Sequence, residues 1–140
     1  MAVTGGYATK PFPMIDEFLD ILEIKCPTHD VIVADDSHAG SFRWSGDTNK
    51  AIGQVVTYLN DIELYQLHLK QEIKTKYNLD LSVIKPRAFI LIGNLYGWNA
   101  SKREALRKLN YSLHGIEVLT YYDLLQRARE IVEMYNKKLS

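Results

Sequence analysis

Residues 19–26 read Leu-Asp-Ile-Leu-Glu-Ile-Lys-Cys, an apolar segment that also carries charged side chains, and Pro27 follows it. The apolar residues predict a β-strand that ends before Pro27, because proline has no backbone N–H for a central ladder. Side chains alternate along a strand, so Glu23 and Lys25 project from the same face. Opposite charges on a largely apolar strand are costly unless they are paired, solvated or bound to a metal ion. A functional site on this strand is a reasonable explanation for them.

The segment after this strand predicts a second strand, a loop and a long helix. Asp30–Ala34 contains Val-Ile-Val and predicts a short strand, whereas the polar, glycine-containing residues 35–46 predict a loop. Asp47 is the predicted N-cap of a helix whose apolar residues recur at helical spacing through about Tyr77. Such a helix exceeds the common range of roughly 8 to 20 residues, so we expect a bend or break near Glu63.

The second half of the chain alternates strands and helices. Ala88–Ile92 is a continuous apolar run ended by Gly93, which is typical of a strand buried on both faces in the middle of a sheet. The remaining predicted elements are a helix over Ala100–Leu109, a strand over Ile116–Thr120 and an amphipathic helix over about Tyr122–Lys137. An antiparallel start followed by this alternation predicts an α/β fold with a mixed central sheet flanked by helices.

Size and composition predict one domain, residues 1–140. Its 46% hydrophobic residues suffice for a single core. The 17 basic and 17 acidic side chains give no bulk positive charge, so any DNA-binding face depends on local segregation of charge. The single cysteine, Cys26, cannot form an internal disulfide and suits a reducing compartment. With no apolar run of roughly 18 residues and no signal-peptide pattern in residues 1–10, we expect a cytoplasmic protein outside the membrane.

The charged pair suits phosphodiester hydrolysis. Carboxylate oxygens hold Mg²⁺, which polarises the phosphate and activates water, and Glu23 suits that ligand role. Lys25 would orient the attacking water or stabilise charge in the transition state. For the second metal carboxylate, Asp16 is the first choice through a tight hairpin; Asp20 is the second, because its odd spacing from Glu23 aims it at the opposite face unless a bulge intervenes. The alternative is an ordinary exposed ion pair, since roughly one chance Glu-x-Lys is expected in every two chains of this length.

The predicted helix supplies a further polar group. In residues 51–58, Ala-Ile-Gly-Gln-Val-Val-Thr-Tyr, Gln54 and Tyr58 are four apart and share one helical face. This pattern resembles the Gln-x-x-x-Tyr element of PD-(D/E)XK nucleases, in which the glutamine approaches the active site and the tyrosine supports the DNA-facing surface. The resemblance implies a catalytic role for Gln54 beside Glu23 and Lys25, and a DNA-binding role for Tyr58.

More narrowly, the chain resembles the C-terminal nuclease domain of Shedu antiphage defence proteins over about residues 11–129. The segments that carry the resemblance are DILEIKCP (20–27), AIGQV (51–55), KPR (85–87), ILIGN (90–94) and LTYYDLL (119–125). The resemblance implies a restriction-endonuclease-like fold, DNA as the substrate, Mg²⁺ as the cofactor with Mn²⁺ as a substitute, and assembly into a homo-oligomer. The implied function is a DNA endonuclease in defence against foreign DNA.

One departure motivates an alternative function. Many relatives of the nuclease superfamily carry a Pro-Asp pair before the Glu-x-Lys strand, whereas here Pro11 precedes Phe12 and Pro13 precedes Met14. The alternative is a nuclease fold that binds DNA or oligomerises without cleaving DNA. A third class is an interaction protein that uses the last amphipathic helix.

Basic side chains would contact DNA phosphates if the fold gathers them near Glu23. They are Arg43, Lys50, Lys102, Arg103, Arg107 and Lys108. We expect Arg43 and Lys50 to bind DNA together with Tyr58, whereas solvated helix faces are the simpler interpretation of the others.

Overall fold

The structure is a computed structural model that describes residues 2–4 and 18–139, and over these residues the chain forms six strands and four helices. In chain order they are β1 (Ala2–Thr4), β2 (Ile21–Ile24), β3 (Ile32–Ala34), β4 (Phe42–Trp44), α1 (Gly46–Leu64), α2 (Gln66–Tyr77), β5 (Ala88–Leu91), α3 (Ala100–Tyr111), β6 (Ile116–Leu119) and α4 (Tyr121–Leu139). The predicted α/β class is confirmed.

Four strands form a parallel sheet in the order β1-β2-β5-β6. β5 lies between β2 and β6, with Glu23 opposite Ile90 and Ile90 opposite Val118, so its predicted central position is confirmed. Helix α3 connects β5 to β6, as parallel neighbours require a crossover. β1 adds a strand beside β2, with Thr4 opposite Glu23, and the sequence pattern does not predict this strand.

Residues 35–46 do not form a loop throughout. Phe42–Trp44 form β4, which pairs antiparallel with β3 in a separate two-stranded sheet. The loop prediction was wrong because the alternation of two core-packed aromatics around the exposed Arg43 is too short to stand out as a strand. Parallel and antiparallel pairings both occur, as predicted, but in two sheets: the described strands of the central sheet are all parallel.

The long helical segment begins two residues earlier than predicted and breaks close to the predicted place. Ser45 is the N-cap instead of Asp47, because its Oγ accepts the backbone N–H of Thr48 at 3.0 Å. A serine hydroxyl in extended backbone geometry satisfies one of the free N–H groups at the start of a helix. Helix α1 ends at Leu64, next to the expected break at Glu63, and α2 follows after a single residue.

The main core lies between the central sheet and helices α1 and α3. Ile21, Ile90 and Val118 come from three neighbouring strands, and they pack with Val55 of α1 and Leu106 of α3. A smaller cluster consists of Leu19, Ile73 and Leu81. Helix α4 differs from the others, because none of its 19 residues is buried. Within the described ranges, no helix combines the length and the apolar character needed to cross a bilayer.

Candidate active site

Glu23 on β2 and Lys25, the residue directly after the strand, form an ion pair, with Lys25 Nζ 2.9 Å from Glu23 Oε1. The side chain of Glu23 is 1% exposed and that of Lys25 is 26% exposed, so the acid is inside the protein and the amine reaches its surface. A buried carboxylate needs a cation or hydrogen-bond donors beside it. The two side chains project from one face of the strand, as predicted, and they are not an ordinary exposed ion pair.

Gln54 reaches this pair from helix α1. Lys25 Nζ donates a hydrogen bond to Gln54 Oε1 at 2.9 Å. The helix is held against the sheet by Ala51 and Val55, which are fully buried on either side of Gln54 in the sequence. An ammonium group has three N–H donors. Glu23 and Gln54 take two of them, and the described part of the chain provides no third partner.

The pair lies where the strands of the central sheet end. The backbone N–H of Lys25 donates to the carbonyl of Leu91 at 2.8 Å, and the carbonyl of Lys25 accepts the hydroxyl of Tyr121 at 2.7 Å. Burial raises the pKa of Tyr121, and the nearby Cys26 adds to the rise, so the hydroxyl stays protonated and able to donate. Ligands of open α/β sheets bind beyond the carboxyl ends of the strands, which is where Lys25 lies.

Gly93 allows two segments to meet beside the site. Its N–H donates to the carbonyl of Cys26 at 3.1 Å, and its φ is +65°. A Cβ atom there would lie 2.5 Å from the carbonyl oxygen of His29, so only glycine fits both the backbone angle and the space. Gly93 and Tyr121 were not identified as supports of the site from the sequence. The signal was present, since both lie in segments that carry the family resemblance, ILIGN and LTYYDLL.

Within the described residues, the predicted ligands contribute one carboxylate to the site, that of Glu23. Asp20 lies just before β2, at the opposite end of the strand from Lys25, and its carboxylate accepts the backbone N–H and the guanidinium of Arg87, each at 3.0 Å. Asp16 lies outside the described residues. Among residues 18–139, no group of three or more His, Cys, Asp or Glu side chains is arranged to hold a metal ion.

The three residues predicted to bind DNA occupy different environments. Tyr58 is half-buried and packs against the main core. Arg43 is exposed on β4, where its Nη1 lies 3.4 Å from the carbonyl of Trp44, and Lys50 is exposed on α1. In the described part of the chain, none of them forms a hydrogen bond or ion pair with Lys25. Their predicted role in DNA binding stays a prediction.

The chain matches a known protein family over a range that includes the site residues. The family described as Shedu protein SduA, C-terminal, matches residues 7–125. The chain belongs to this family. The predicted resemblance to Shedu C-terminal domains is thereby confirmed, whereas no curated protein matches the chain. Membership implies a role in Shedu antiphage defence. The match includes β2, Gln54 and the first residues of α4, and it ends at Leu125, so most of α4 lies beyond it.

Proposed function

We propose that this Shedu domain is a Mg²⁺-dependent DNA endonuclease that hydrolyses phosphodiester bonds of foreign DNA in the cytoplasm. The observation that carries the proposal is the contact of Lys25 Nζ with both Glu23 and Gln54, each at 2.9 Å. A buried carboxylate offers a hard oxygen ligand, and the partly exposed amine offers positive charge to a phosphate. The exposed free thiol of Cys26 suits the reducing interior of a cell.

In the proposed reaction, a water molecule gives up a proton to solvent as its oxygen bonds to phosphorus, the bond from phosphorus to the leaving sugar oxygen breaks, and that oxygen takes up a proton from solvent. Mg²⁺, or Mn²⁺ in its place, supplies charge that polarises the phosphate and activates water, and Glu23 with Asp16 would hold it. Lys25 gives its remaining N–H to the attacking water or to the phosphate oxygens on which charge grows. Gln54 accepts one N–H of Lys25 and so keeps the amine oriented.

Nicking of a supercoiled plasmid in the presence of Mg²⁺ tests this proposal. We expect Glu23→Ala and Lys25→Ala each to lower the nicking rate by about 100-fold or more, because removing one contact to the transition state has effects of that order. Circular dichroism of both variants controls for folding. Equal nicking by the wild type and both folded variants rejects the assignment.

The same assay separates the two aspartates that the sequence offers as the second ligand. We propose Asp16, so Asp16→Ala should lose cleavage as Glu23→Ala does. Asp20→Asn should lower the free energy of unfolding and keep cleavage by the folded protein, because the Asp20 carboxylate is already bound by Arg87. A stable Asp20→Asn variant that no longer cleaves would reverse the assignment.

A second candidate function is self-assembly through α4. The apolar side chains along one side of this helix alternate at steps of three and four residues, which is the a and d pattern of a coiled coil. This apolar stripe consists of Leu125, Ala128, Val132, Tyr135 and Leu139. None of its members is buried in the described chain. Most of the stability of an amphipathic helix comes from covering its apolar face, so the stripe indicates a partner.

We propose that the partner is α4 of a second copy of this chain. A two-fold axis places the same surface on both subunits, so a stripe complementary to itself is what such a pair needs. The stripe spans residues 125–139, about 21 Å of helix at 1.5 Å per residue, or two heptads. No charged residue occupies an a or d position in this span, whereas Glu130, Glu133 and Lys137 take other positions.

Sedimentation velocity over a range of protein concentrations tests this pairing. Val132→Glu places a charge at the centre of the stripe and should give a monomer where the wild type is a dimer. Glu133→Gln changes the adjacent residue, which lies off the stripe, and should leave the dimer intact. The proposal fails if the wild type sediments as a monomer at every concentration or if both variants behave alike.

A further inference from the structure

A groove of about 470 Å³ lies between α3 and α4 across β6, away from Glu23. We call it the α3–α4 groove. Its lining includes the polar side chains Arg103, Arg107, Asn110, Glu117, Tyr122 and Arg127. Leu106 and Val118, both in the main core, form part of its apolar floor. The volume falls in the range of ligand pockets, roughly 300–1,000 Å³.

A side chain of α3 occupies the free edge of β6 at Val118. β6 ends the order of the central sheet, so one of its edges has no strand beside it among the described residues. The side-chain amide of Asn110 donates to the carbonyl of Val118 at 2.9 Å and accepts the N–H of Val118 at 2.8 Å. These are two of the backbone groups that an extended peptide would use in extending the sheet. At Val118 the groove therefore presents side chains to a ligand, and no free backbone groups.

Both acids that line the groove already have partners. Glu117 Oε1 lies 2.9 Å from the guanidinium of Arg127. Asp123 Oδ2 accepts the backbone N–H of Thr120 at 3.1 Å and its hydroxyl at 2.9 Å, which starts helix α4. Among the described residues, neither carboxylate forms an ion pair with the other two arginines of the groove.

Arg103 and Arg107 are consequently two guanidinium groups with no carboxylate partner in residues 18–139. They are four residues apart on α3, so they lie on one face of the helix, where like charges repel each other. The guanidinium of Arg103 lies 5.6 Å from the centre of the Tyr122 ring, which holds it at the wall of the groove. A bound anion would remove the repulsion, and the planar fork of arginine matches a phosphate group in particular.

The groove is connected to the candidate active site through the first turn of α4. Tyr122 lines the groove, and Tyr121, the residue before it, donates its hydroxyl to the carbonyl of Lys25 at 2.7 Å. We propose that Arg103 and Arg107 bind backbone phosphates of a DNA strand whose neighbouring part occupies the candidate active site. This inference rests on the proposed nuclease function for the identity of the strand, and it assigns to α3 a DNA contact separate from Arg43 and Lys50.

Fluorescence anisotropy with a labelled DNA duplex, in EDTA so that no cleavage occurs, tests the groove directly. The test variant is Arg103→Gln with Arg107→Gln, and the matched control is Lys102→Gln with Lys108→Gln, which removes two charges from the same helix outside the groove lining. We expect the groove variant to bind at least about tenfold more weakly at low salt. Its slope of log affinity against log salt should be less steep by about two, one for each lost phosphate contact. The control should match the wild type.

Equal binding by the wild type and the groove variant overturns the inference, and so does equal weakening of the groove and control variants. Competition by a mononucleotide as effective as unlabelled duplex would show a site for a free anion and would overturn the assignment to a strand. Failure of the nuclease proposal looks different. In that case DNA binding still depends on Arg103 and Arg107, but plasmid nicking does not depend on Glu23 or Lys25.

Discussion

Glu23 places a carboxylate in the interior of the protein. A buried carboxylate needs a compensating partner, and Lys25 supplies it. The amine of Lys25 at 2.9 Å compensates the charge, and the amide of Gln54 holds the amine in place. Pairs of this kind add little net stability, because desolvation opposes the attraction between the two charges, whereas removing one partner alone is strongly destabilising. An arrangement that adds little stability yet keeps a charged amine at the surface supports the catalytic role that we propose for the pair.

The dependence of Glu23 on Lys25 can be measured as a change in the free energy of unfolding. We expect Lys25→Met to lower the free energy of unfolding by about 3 kcal/mol, since the Glu23 carboxylate then loses its ammonium partner. In the double variant Glu23→Gln with Lys25→Met, most of that loss should be recovered, because no charge remains buried. Urea denaturation of the wild type and the variants supplies the comparison. A Lys25→Met variant as stable as the wild type would contradict this account of the pair.

Cys26, next to Lys25, should be a reactive thiol. Its Sγ lies 3.0 Å from the Thr28 hydroxyl, and hydrogen bonds from the side chain and backbone of Thr28 lower the pKa of the thiol. A lowered pKa gives more thiolate near neutral pH, and the thiolate is the nucleophile. The alkylation rate by iodoacetamide should therefore rise at a lower pH than for an ordinary cysteine, and Thr28→Val should shift the rise to higher pH. Identical pH profiles for the two proteins would exclude the effect of Thr28.

At the scale of secondary-structure elements, the ends of three strands are joined by backbone hydrogen bonds at Gly93. The N–H of Gly93 donates to the carbonyl of Cys26 at 3.1 Å, and the carbonyl of Gly93 accepts the N–H of Tyr121 at 3.0 Å. These bonds connect the segments that follow β2, β5 and β6. The position of Lys25 therefore depends on a turn that is distant from it in sequence.

Two glycine substitutions should have opposite effects on stability. Gly93→Ala should lower the free energy of unfolding by about 2 kcal/mol or more, because φ is +65° and the new Cβ would collide with the backbone of His29. Gly53→Ala should raise it by about 0.5–1 kcal/mol, because this residue lies inside α1 with open space around the position of a Cβ. Thermal or urea denaturation distinguishes the two outcomes, and equal stability of both variants would contradict them.

Across the whole molecule, burial is distributed unevenly. Helices α1 and α3 share a core with the central sheet, whereas α4 is attached near its first turn and is exposed over Arg127–Leu139. Its contacts with the sheet strands and the residues that follow them come from its first two turns and include the hydroxyl and N–H of Tyr121, the bonds of Asp123 with Thr120 and the ion pair of Arg127 with Glu117. The stability of the rest of α4 depends on its own helical propensity and on any partner that covers it.

Hydrogen exchange should reveal this division. In dilute protein, amides of residues 128–139 should exchange much faster than those around Val55, which is fully buried in the core. Raising the protein concentration should protect residues 128–139 alone, since a second copy would cover the apolar stripe. Protection that does not change with concentration would contradict pairing through α4.

Secondary-structure elements could be predicted from the sequence, because strands and helices show in the spacing of apolar residues along a short stretch of chain, every two residues in a strand and every 3.6 in a helix. The strand that carries Glu23 and Lys25, the central strand before Gly93 and the break near Glu63 belong to this class, and the resemblance added Gln54. Three features could be recognised only from the tertiary structure. Asp20 binds Arg87 and does not join Glu23, Tyr121 donates a hydrogen bond to Lys25, and α4 has no buried residue. The bonds from Lys25 to Gln54 and to Tyr121 join residues 29 and 96 positions apart. Such pairings are set by how the helices pack and how the strands are ordered, and no local period encodes either.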